Sequence, residues 1–122
     1  MKKILLLMLI LFSLNSQAQQ LYLLGEPLDS VKIYYDSIVY QNTDTLVVQD
    51  DYMINFIAED NIITNFIKIL PFEMREIIDL AFNTMIKSED KYFFEYYEGL
   101  YVMYILELMD EDYFGLVVGR VE

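Results

Sequence analysis

Carboxylates are the main chemical equipment of this chain, which has 20 Asp and Glu residues but no histidine and no cysteine. The missing histidine excludes imidazole acid–base catalysis and histidine metal ligands, and the missing cysteine excludes thiolate chemistry and disulfides. Four glycines form no phosphate-binding loop, and no serine has a nucleophile motif around it. Two carboxylates are enough for a glycosidase, but short loops leave little material for a sugar-binding cleft. We therefore expect no enzymatic activity and no cofactor.

Acidic residues are concentrated between apolar runs, at positions 50–51, 59–60 and 110–112. Carboxylate oxygens are the ligands that calcium prefers, and Asp110 and Asp112 are the first candidates for such a site. None of the three clusters has the spacing of a calcium-binding loop, so we favour solvation of hairpin tips as their role. Calcium binding or a carboxylate-based activity at these turns is kept as the alternative function.

The first 18 residues have the three parts of a secretory signal peptide. Lys2 and Lys3 precede an apolar run at 4–14, and a polar stretch then ends in the small residues Ser16 and Ala18. The apolar run is shorter than the roughly 20 residues that a spanning helix needs. We expect cleavage after Ala18, export to the periplasm, cell surface or medium, and no membrane span afterwards. Residues 19–122 would then form one small domain of 104 residues.

The charge of the chain restricts its partners. The full chain has a net charge of −12, and loss of Lys2 and Lys3 makes this −14. Such a surface repels nucleic acid and anionic lipid, whereas a basic protein or a cation is attracted. A role of the charge in solubility alone is the competing interpretation.

Hydrophobic periodicity predicts an α+β fold in which a helix and three strands occur twice. Gly25, Glu26 and Pro27 indicate a helix start, and apolar spacing extends this helix over 28–40, where a strand is the alternative. Short apolar runs predict strands at 45–49, 52–58 and 62–69, with Asn55 opposite Asn65. A second helix is predicted over 72–87 and a three-stranded meander over 92–121. The expected fold is a six-stranded, mainly antiparallel sheet with both helices on one face.

The segment from Gly25 to Val31 (GEPLDSV) and the order of the elements resemble the small bacterial envelope modules typified by outer-membrane assembly lipoproteins and the β-lactamase inhibitor protein. The first half lacks the second helix of those modules, and the lipid-bearing cysteine is missing. The resemblance implies an architecture and no function.

Strand alternation divides the meander into two faces. A two-residue turn at Glu98 and Gly99 and a three-residue turn at 110–112 pair Tyr104 with Val118. One face is bulky and aliphatic, and we assign it to the core, with Glu95 and Arg120 forming a charge pair beside it. That predicted core face comprises Phe93, Tyr97, Val102, Tyr104, Leu106, Leu108, Phe114, Leu116 and Val118.

The opposite face of the meander is rich in tyrosine, and no predicted helix remains to cover it. Tyrosine offers a large contact area at low entropic cost, and large apolar patches on soluble proteins often mark binding sites. Solvated tyrosines, or a coiled sheet that buries the face, are the alternatives. We therefore predict an interaction module that binds a protein partner or itself. The predicted contact residues are Tyr92, Phe94, Tyr96, Tyr101, Met103 and Tyr113.

Overall fold

The computed structural model describes residues 18–96 and 99–121, apart from the side chains of Ala18, Gln19 and Tyr96. Residues 1–17, which make up all but the last residue of the predicted signal peptide, lie outside this part of the chain. The predicted turn at Glu98 also falls outside it. No helix in the described part is both long enough and apolar enough to cross a bilayer.

Across residues 18–96 and 99–121, eight antiparallel strands form one sheet, in two groups of four. The first group is β1 (Ile38–Gln41), β2 (Thr45–Gln49), β3 (Met53–Glu59) and β4 (Ile62–Pro71). The second group is β5 (Ile86–Ser88), β6 (Lys91–Tyr96), β7 (Gly99–Glu107) and β8 (Tyr113–Val121). The spatial order is β1-β2-β3-β4-β8-β7-β6-β5, so β4 and β8 pair at the centre and β1 and β5 are the edges.

Three α-helices of the described chain contribute to a single core on one face of the sheet. They are α1 (Ala18–Leu23), α2 (Val31–Tyr34) and α3 (Arg75–Phe82). One-turn 3₁₀ helices, Leu28–Ser30 and Phe72–Met74, lead into α2 and α3. Leu23, Val31 and Ile78 from these helices are fully buried in the same cluster as Phe56 and Phe66 of the sheet. Each helical region therefore covers part of the sheet face that we call the core face.

The predicted fold of six strands and two helices is wrong, because the first half has both an additional strand and an additional helix. The predicted helix over 28–40 stops at Tyr34, and Tyr35 is already extended, with φ −130° and ψ 129°. The β-branched and aromatic residues that follow form β1, as their propensities favour. The additional helix is α1, which includes residues 19–23 although they lack helical periodicity in the sequence. Leu21 and Leu23 of α1 are buried.

The second half gains strand β5 at the expense of the predicted helix over 72–87. Helix α3 ends at Phe82, and the Thr84 hydroxyl donates a 2.7 Å hydrogen bond to the Ala81 carbonyl just beyond this end. Glu89 then takes a positive φ of 57°, which turns the chain so that Ser88 pairs with Lys91. A three-residue strand is too short to produce a recognisable period.

The predicted strands at 45–49, 52–58 and 62–69 are confirmed within two residues at each end, but their pairing differs. Asn65 lies opposite Ile57 and not opposite Asn55. The two-residue turn at Asp60 and Asn61, both at positive φ, shifts the pairing by one residue, and an irregularity between Ile57 and Ala58 shifts it by a second. The meander strands are also confirmed in extent, although the predicted faces of two of them are not.

A one-residue difference in the register of β7 and β8 reverses the predicted faces of β6 and β7, whereas the face of β8 is as predicted. Tyr104 pairs with Val117 and not with Val118, since six residues, 108–113, lie between the last paired residues Glu107 and Phe114 in place of the predicted three. Because side chains alternate with a period of two, this shift turns β6 and β7 over relative to β8. Phe114 and Leu116 of β8 lie in the core as predicted, but they are joined there by Tyr101 and Met103.

Candidate interaction surfaces

The tyrosine face that we predicted to be uncovered is part of the core, so that prediction is wrong. Phe94, Tyr101 and Met103 are buried, and the rings of Phe94 and Tyr101 stack with their centroids 5.5 Å apart. Tyr92 is half-buried and lies flat against Phe82 of α3, with 3.9 Å between the ring centroids. The Tyr92–Phe82 contact therefore helps to hold α3 to the sheet.

The other two predicted contact residues do not restore the surface. Tyr113 is exposed, but it lies on the opposite face of the sheet from Phe114 and Leu116. The side chain of Tyr96 lies outside the described residues. The predicted Glu95–Arg120 pair is also wrong, because Glu95 pairs with Leu100 whereas Arg120 pairs with Tyr101, which places them on opposite faces.

The uncovered surface is the other side of the sheet, which we call the outer face. The buried apolar residues of the three described helices belong to the core cluster, so none of these helices lies over the outer face. Strand alternation places apolar side chains from every strand between β2 and β8 there. They are Val47, Met53, Ile57, Ile67, Ile69, Pro71, Ile86, Phe93, Leu100, Val102, Tyr104, Leu106, Tyr113, Val117 and Val121.

Two glycines of β8 allow the outer face to pack closely along its centre. A Cβ atom on Gly115 would lie 3.1 Å from Ile67 Cγ2 and 3.2 Å from Leu106 Cβ, so these side chains close over the bare backbone. Val102 approaches Gly119 in the same way, at 3.5 Å. Val117 lies between the two glycines and is 3 % exposed. The centre of the face is therefore smooth and well packed, and the larger exposed side chains lie around it.

Charged groups on the outer face are few, although Thr45, Gln49 and Asn65 contribute uncharged polar groups on β2 and β4. Lys91 lies over the Tyr104 ring, 5.5 Å from its centroid, and Glu95 lies on the same strand. The amide of Asn55 is also on this face, and its Oδ1 atom is buried without a hydrogen-bond partner. An apolar surface with so little charge is typical of the centre of a protein interface.

A second exposed apolar region surrounds the edge strand β1. All four residues of the strand are exposed, including Val39 and Tyr40 at 57 % and 54 %. Ile33 and Tyr34 of α2 are exposed beside it, and Tyr34 contacts Tyr22 of α1 edge-to-face at 6.5 Å. An edge strand also presents backbone donors and acceptors that have no neighbouring strand.

An open groove with a volume of about 690 Å³ begins where β1 ends. Leu28 is its apolar member, and the remaining lining is polar or acidic. Asp29 accepts a hydrogen bond from the side-chain amide of Gln41 at 3.4 Å and forms a salt bridge with Lys32 at 3.5 Å. Asn42 fixes the rim, because its Oδ1 accepts the backbone N–H groups of the next turn. The lining residues are Leu28, Asp29, Gln41, Asn42, Thr43, Asp44, Asp60 and Asn61.

Lys68 is a chemically unusual residue that the sequence analysis did not single out. It occupies the inward position between Phe66 and Leu70 of β4 and is 2 % exposed. Burial lowers its pKa to about 8, and the carboxylates of Asp50 and Asp51 partly oppose this effect. The strand alternation itself was the available signal, because it assigns a lysine to the core. An amine so inaccessible offers no route for a substrate.

Tyr52 lies beside Lys68, and Tyr35 is a second titratable group, partly buried against the core. The Lys68 ammonium lies over the Tyr52 ring, 5.5 Å from the centroid. Tyr35 stacks obliquely on Phe56 at 5.8 Å, and burial raises the pKa of the Tyr35 phenol, while a hydrogen bond with Gln20 partly lowers it. Both titratable groups therefore resist ionisation in the folded protein.

The acidic turn at 110–112 uses its carboxylates for local structure. Asp110 Oδ1 accepts the backbone N–H of Asp112 at 3.0 Å, and the Asp110 carbonyl accepts the N–H of Tyr113. In the described part of the chain, no group of three acidic side chains is arranged to hold a metal ion. The calcium alternative thus gains no geometric support at Asp110 and Asp112.

The chain matches no protein-family model, no curated protein and no solved structure.

Proposed function

We propose that this chain is an exported, non-enzymatic protein that binds a basic protein partner through its outer face. The observation that carries the proposal is an apolar sheet face over which none of the described helices lies. The core face of the same sheet is covered by all three of these helices. The signal-peptide pattern of the first 18 residues supports export.

Burial of the outer face supplies the driving force for binding. Leu100 and Leu106 are each 40 % exposed, and Tyr113 and Met53 are exposed on the same face. Removing apolar surface from water contributes about 25 cal/mol for each Å² buried. Side chains already ordered by packing over Gly115 lose little conformational entropy when a partner covers them.

The charge distribution favours a basic partner over a second copy of the chain. Acidic turns lie at both ends of the strands, at positions 50–51, 59–60, 89–90 and 110–112. A net charge of −12 makes two copies repel each other, whereas a partner with Lys and Arg around an apolar centre is attracted. The association rate is expected to fall with ionic strength for this reason.

The side-chain chemistry supports a binding role over catalysis. The chain has neither histidine nor cysteine, and its amine with the lowered pKa, Lys68, is enclosed in the core. The carboxylates of the described turns lie on exposed loops.

Affinity capture from the native envelope fraction tests the proposal when wild-type bait is compared with two matched variants. Leu106→Asp places a charge on the outer face, and Leu80→Asp places the same charge on the exposed side of α3. We expect the wild type and Leu80→Asp to retain one basic protein that Leu106→Asp loses. Equal capture by all three folded baits would contradict the proposal.

A further inference from the structure

We propose that the β1 edge is a second binding site, which takes an extended segment of another protein whose apolar part adds to the sheet and whose end carries Lys or Arg. The site is independent of the outer face, because it uses the backbone of an edge strand and the groove beyond it. Strand addition of this kind derives affinity from main-chain hydrogen bonds and specificity from the flanking side chains.

The two edges of the sheet differ in how well they are protected. At β5, a three-residue strand has Lys87 at its centre, with the ammonium over the Tyr92 ring at 5.8 Å. A lysine on an edge strand is a common protection against unwanted pairing. At β1 there is neither lysine nor proline, and Ile38, Val39 and Tyr40 are exposed. An irregularity between Ile38 and Tyr40 limits the edge to a short segment without closing it.

The acidic groove at the end of β1 favours a bound segment with a positively charged end. Gln41, the last residue of β1, lines the groove together with Asp29, Asp44 and Asp60. Lys32 contacts Asp29 at 3.5 Å, which leaves the carboxylates in excess over positive charge. A segment that pairs with Ile38–Gln41 and continues past the strand end enters this groove, where a Lys or Arg side chain meets complementary charge.

A second copy of β1 fits this edge poorly. Asp36 precedes the strand and Asp44 follows it, so that self-pairing in either direction places carboxylates of one copy against those of the other. Ile33 and Tyr34 extend the apolar surface beside the strand and suit the alternating apolar side chains of a foreign segment.

A random peptide library displayed on phage tests the proposal, with selection on the full purified protein and counter-selection on Val39→Pro. Proline at the bulged position of the edge strand obstructs strand pairing. Val39→Lys serves as a second blocking variant if the proline variant is unfolded by circular dichroism. Ile86→Lys at the opposite edge is the matched control.

We expect the peptides that bind the wild type but not the blocked variants to be rich in β-branched residues and to carry Lys or Arg near one end. Their affinity should fall about tenfold or more in Asp44→Asn/Asp60→Asn, since charge-assisted contacts are lost, and remain unchanged in Ile86→Lys. Amide shifts in NMR spectra should be largest over residues 38–44. Neutral or acidic peptides, or no peptide that distinguishes wild type from the blocked variants, would overturn the inference. Loss of binding in Leu106→Asp alone would assign the peptides to the outer face and overturn it as well.

Discussion

Lys68 and Leu116 lie directly opposite each other on the two central strands, at the middle of the seven-pair ladder between β4 and β8. Each follows the helical region of its own half of the chain, and both point into the core. The first half thus places an ammonium where the second half places an aliphatic side chain. The fold itself does not need a charge at this position, because Leu116 fills the equivalent position with carbon atoms alone.

Replacement of Lys68 by methionine is expected to stabilise the protein at pH 7. The pKa of Lys68 is lowered from 10.5 to about 8. Keeping Lys68 charged therefore destabilises the folded state by about 3 kcal/mol. Equilibrium unfolding in urea measures the change, and we expect Lys68→Met to raise the midpoint. Lys91→Met is the control, since its ammonium lies over a ring at 5.5 Å as Lys68 does, but on an exposed side chain. A lower midpoint for Lys68→Met would show that its contacts outweigh its desolvation.

The stability of the wild type should increase from pH 8 to pH 10. Between its folded pKa of about 8 and its unfolded pKa of 10.5, Lys68 binds fewer protons in the folded state than in the unfolded state. The free energy of unfolding therefore rises with pH in this window, by up to about 1.4 kcal/mol per pH unit. Thermal melts across this range check the sign, and Lys68→Met should remove the increase. A flat profile in the wild type would contradict the lowered pKa.

Above pH 10 the trend should reverse because of Tyr35. Burial raises the pKa of its phenol, so the folded state retains a proton that the unfolded state loses above its pKa of 10.0. The stabilisation that Tyr35 gives is complete below pH 10 and declines as the pH approaches its raised folded pKa. Tyr35→Phe should show a smaller decline in the same melts, whereas an identical decline would assign the loss to other groups.

The hydrophobic pattern of the sequence predicted the positions of most strands. It failed where a register shift of one residue decided which face of a strand is buried. Strand 45–49 is found with its predicted bounds, since a run of three apolar residues and a flanking acidic turn specify it. The faces of β6 and β7 were reversed because six residues separate the paired residues Glu107 and Phe114, where we assumed a turn of three. Loop length is set by tertiary packing, which a hydrophobic pattern does not encode.

There is also a physical reason why the sequence did not predict which face of the sheet is uncovered. Ile67, Ile69, Val102 and Val117 are the kind of residues that normally fill a core, so the pattern assigned Val102 to the interior. Both faces of the central strands are apolar, and composition cannot then distinguish the covered side from the uncovered one. Lys68 is the reverse case, since a polar residue lies at an inward position.

Tyr101→Ser and Tyr113→Ser should separate core tyrosines from surface tyrosines. Tyr101 is 8 % exposed and stacks on Phe94, so its removal leaves a cavity and should cost about 3 kcal/mol. Tyr113 is 47 % exposed, and its removal should cost less than about 1 kcal/mol. Chemical denaturation of both variants measures the difference. Equal costs would mean that Tyr101 is not packed as described.

Calcium should leave the melting temperature unchanged. The Asp110 carboxylate already accepts the N–H of Asp112, and no described group of three acids is arranged for a metal ion. Differential scanning fluorimetry with calcium and then with chelator makes the comparison, because an ion bound to the folded state raises the melting temperature. A reproducible increase that Asp110→Asn abolishes would restore the calcium alternative.

Site-specific photo-crosslinking in the native cells tests the proposed binding surface most directly. A benzophenone amino acid replaces Leu106 on the outer face or, as the matched control, Leu80 on the exposed side of α3. Light should join a basic protein to the chain carrying the probe at position 106, and no such adduct should form from position 80. Adducts of equal yield at both positions, or an adduct at position 106 that contains only a second copy of this chain, would contradict the proposal.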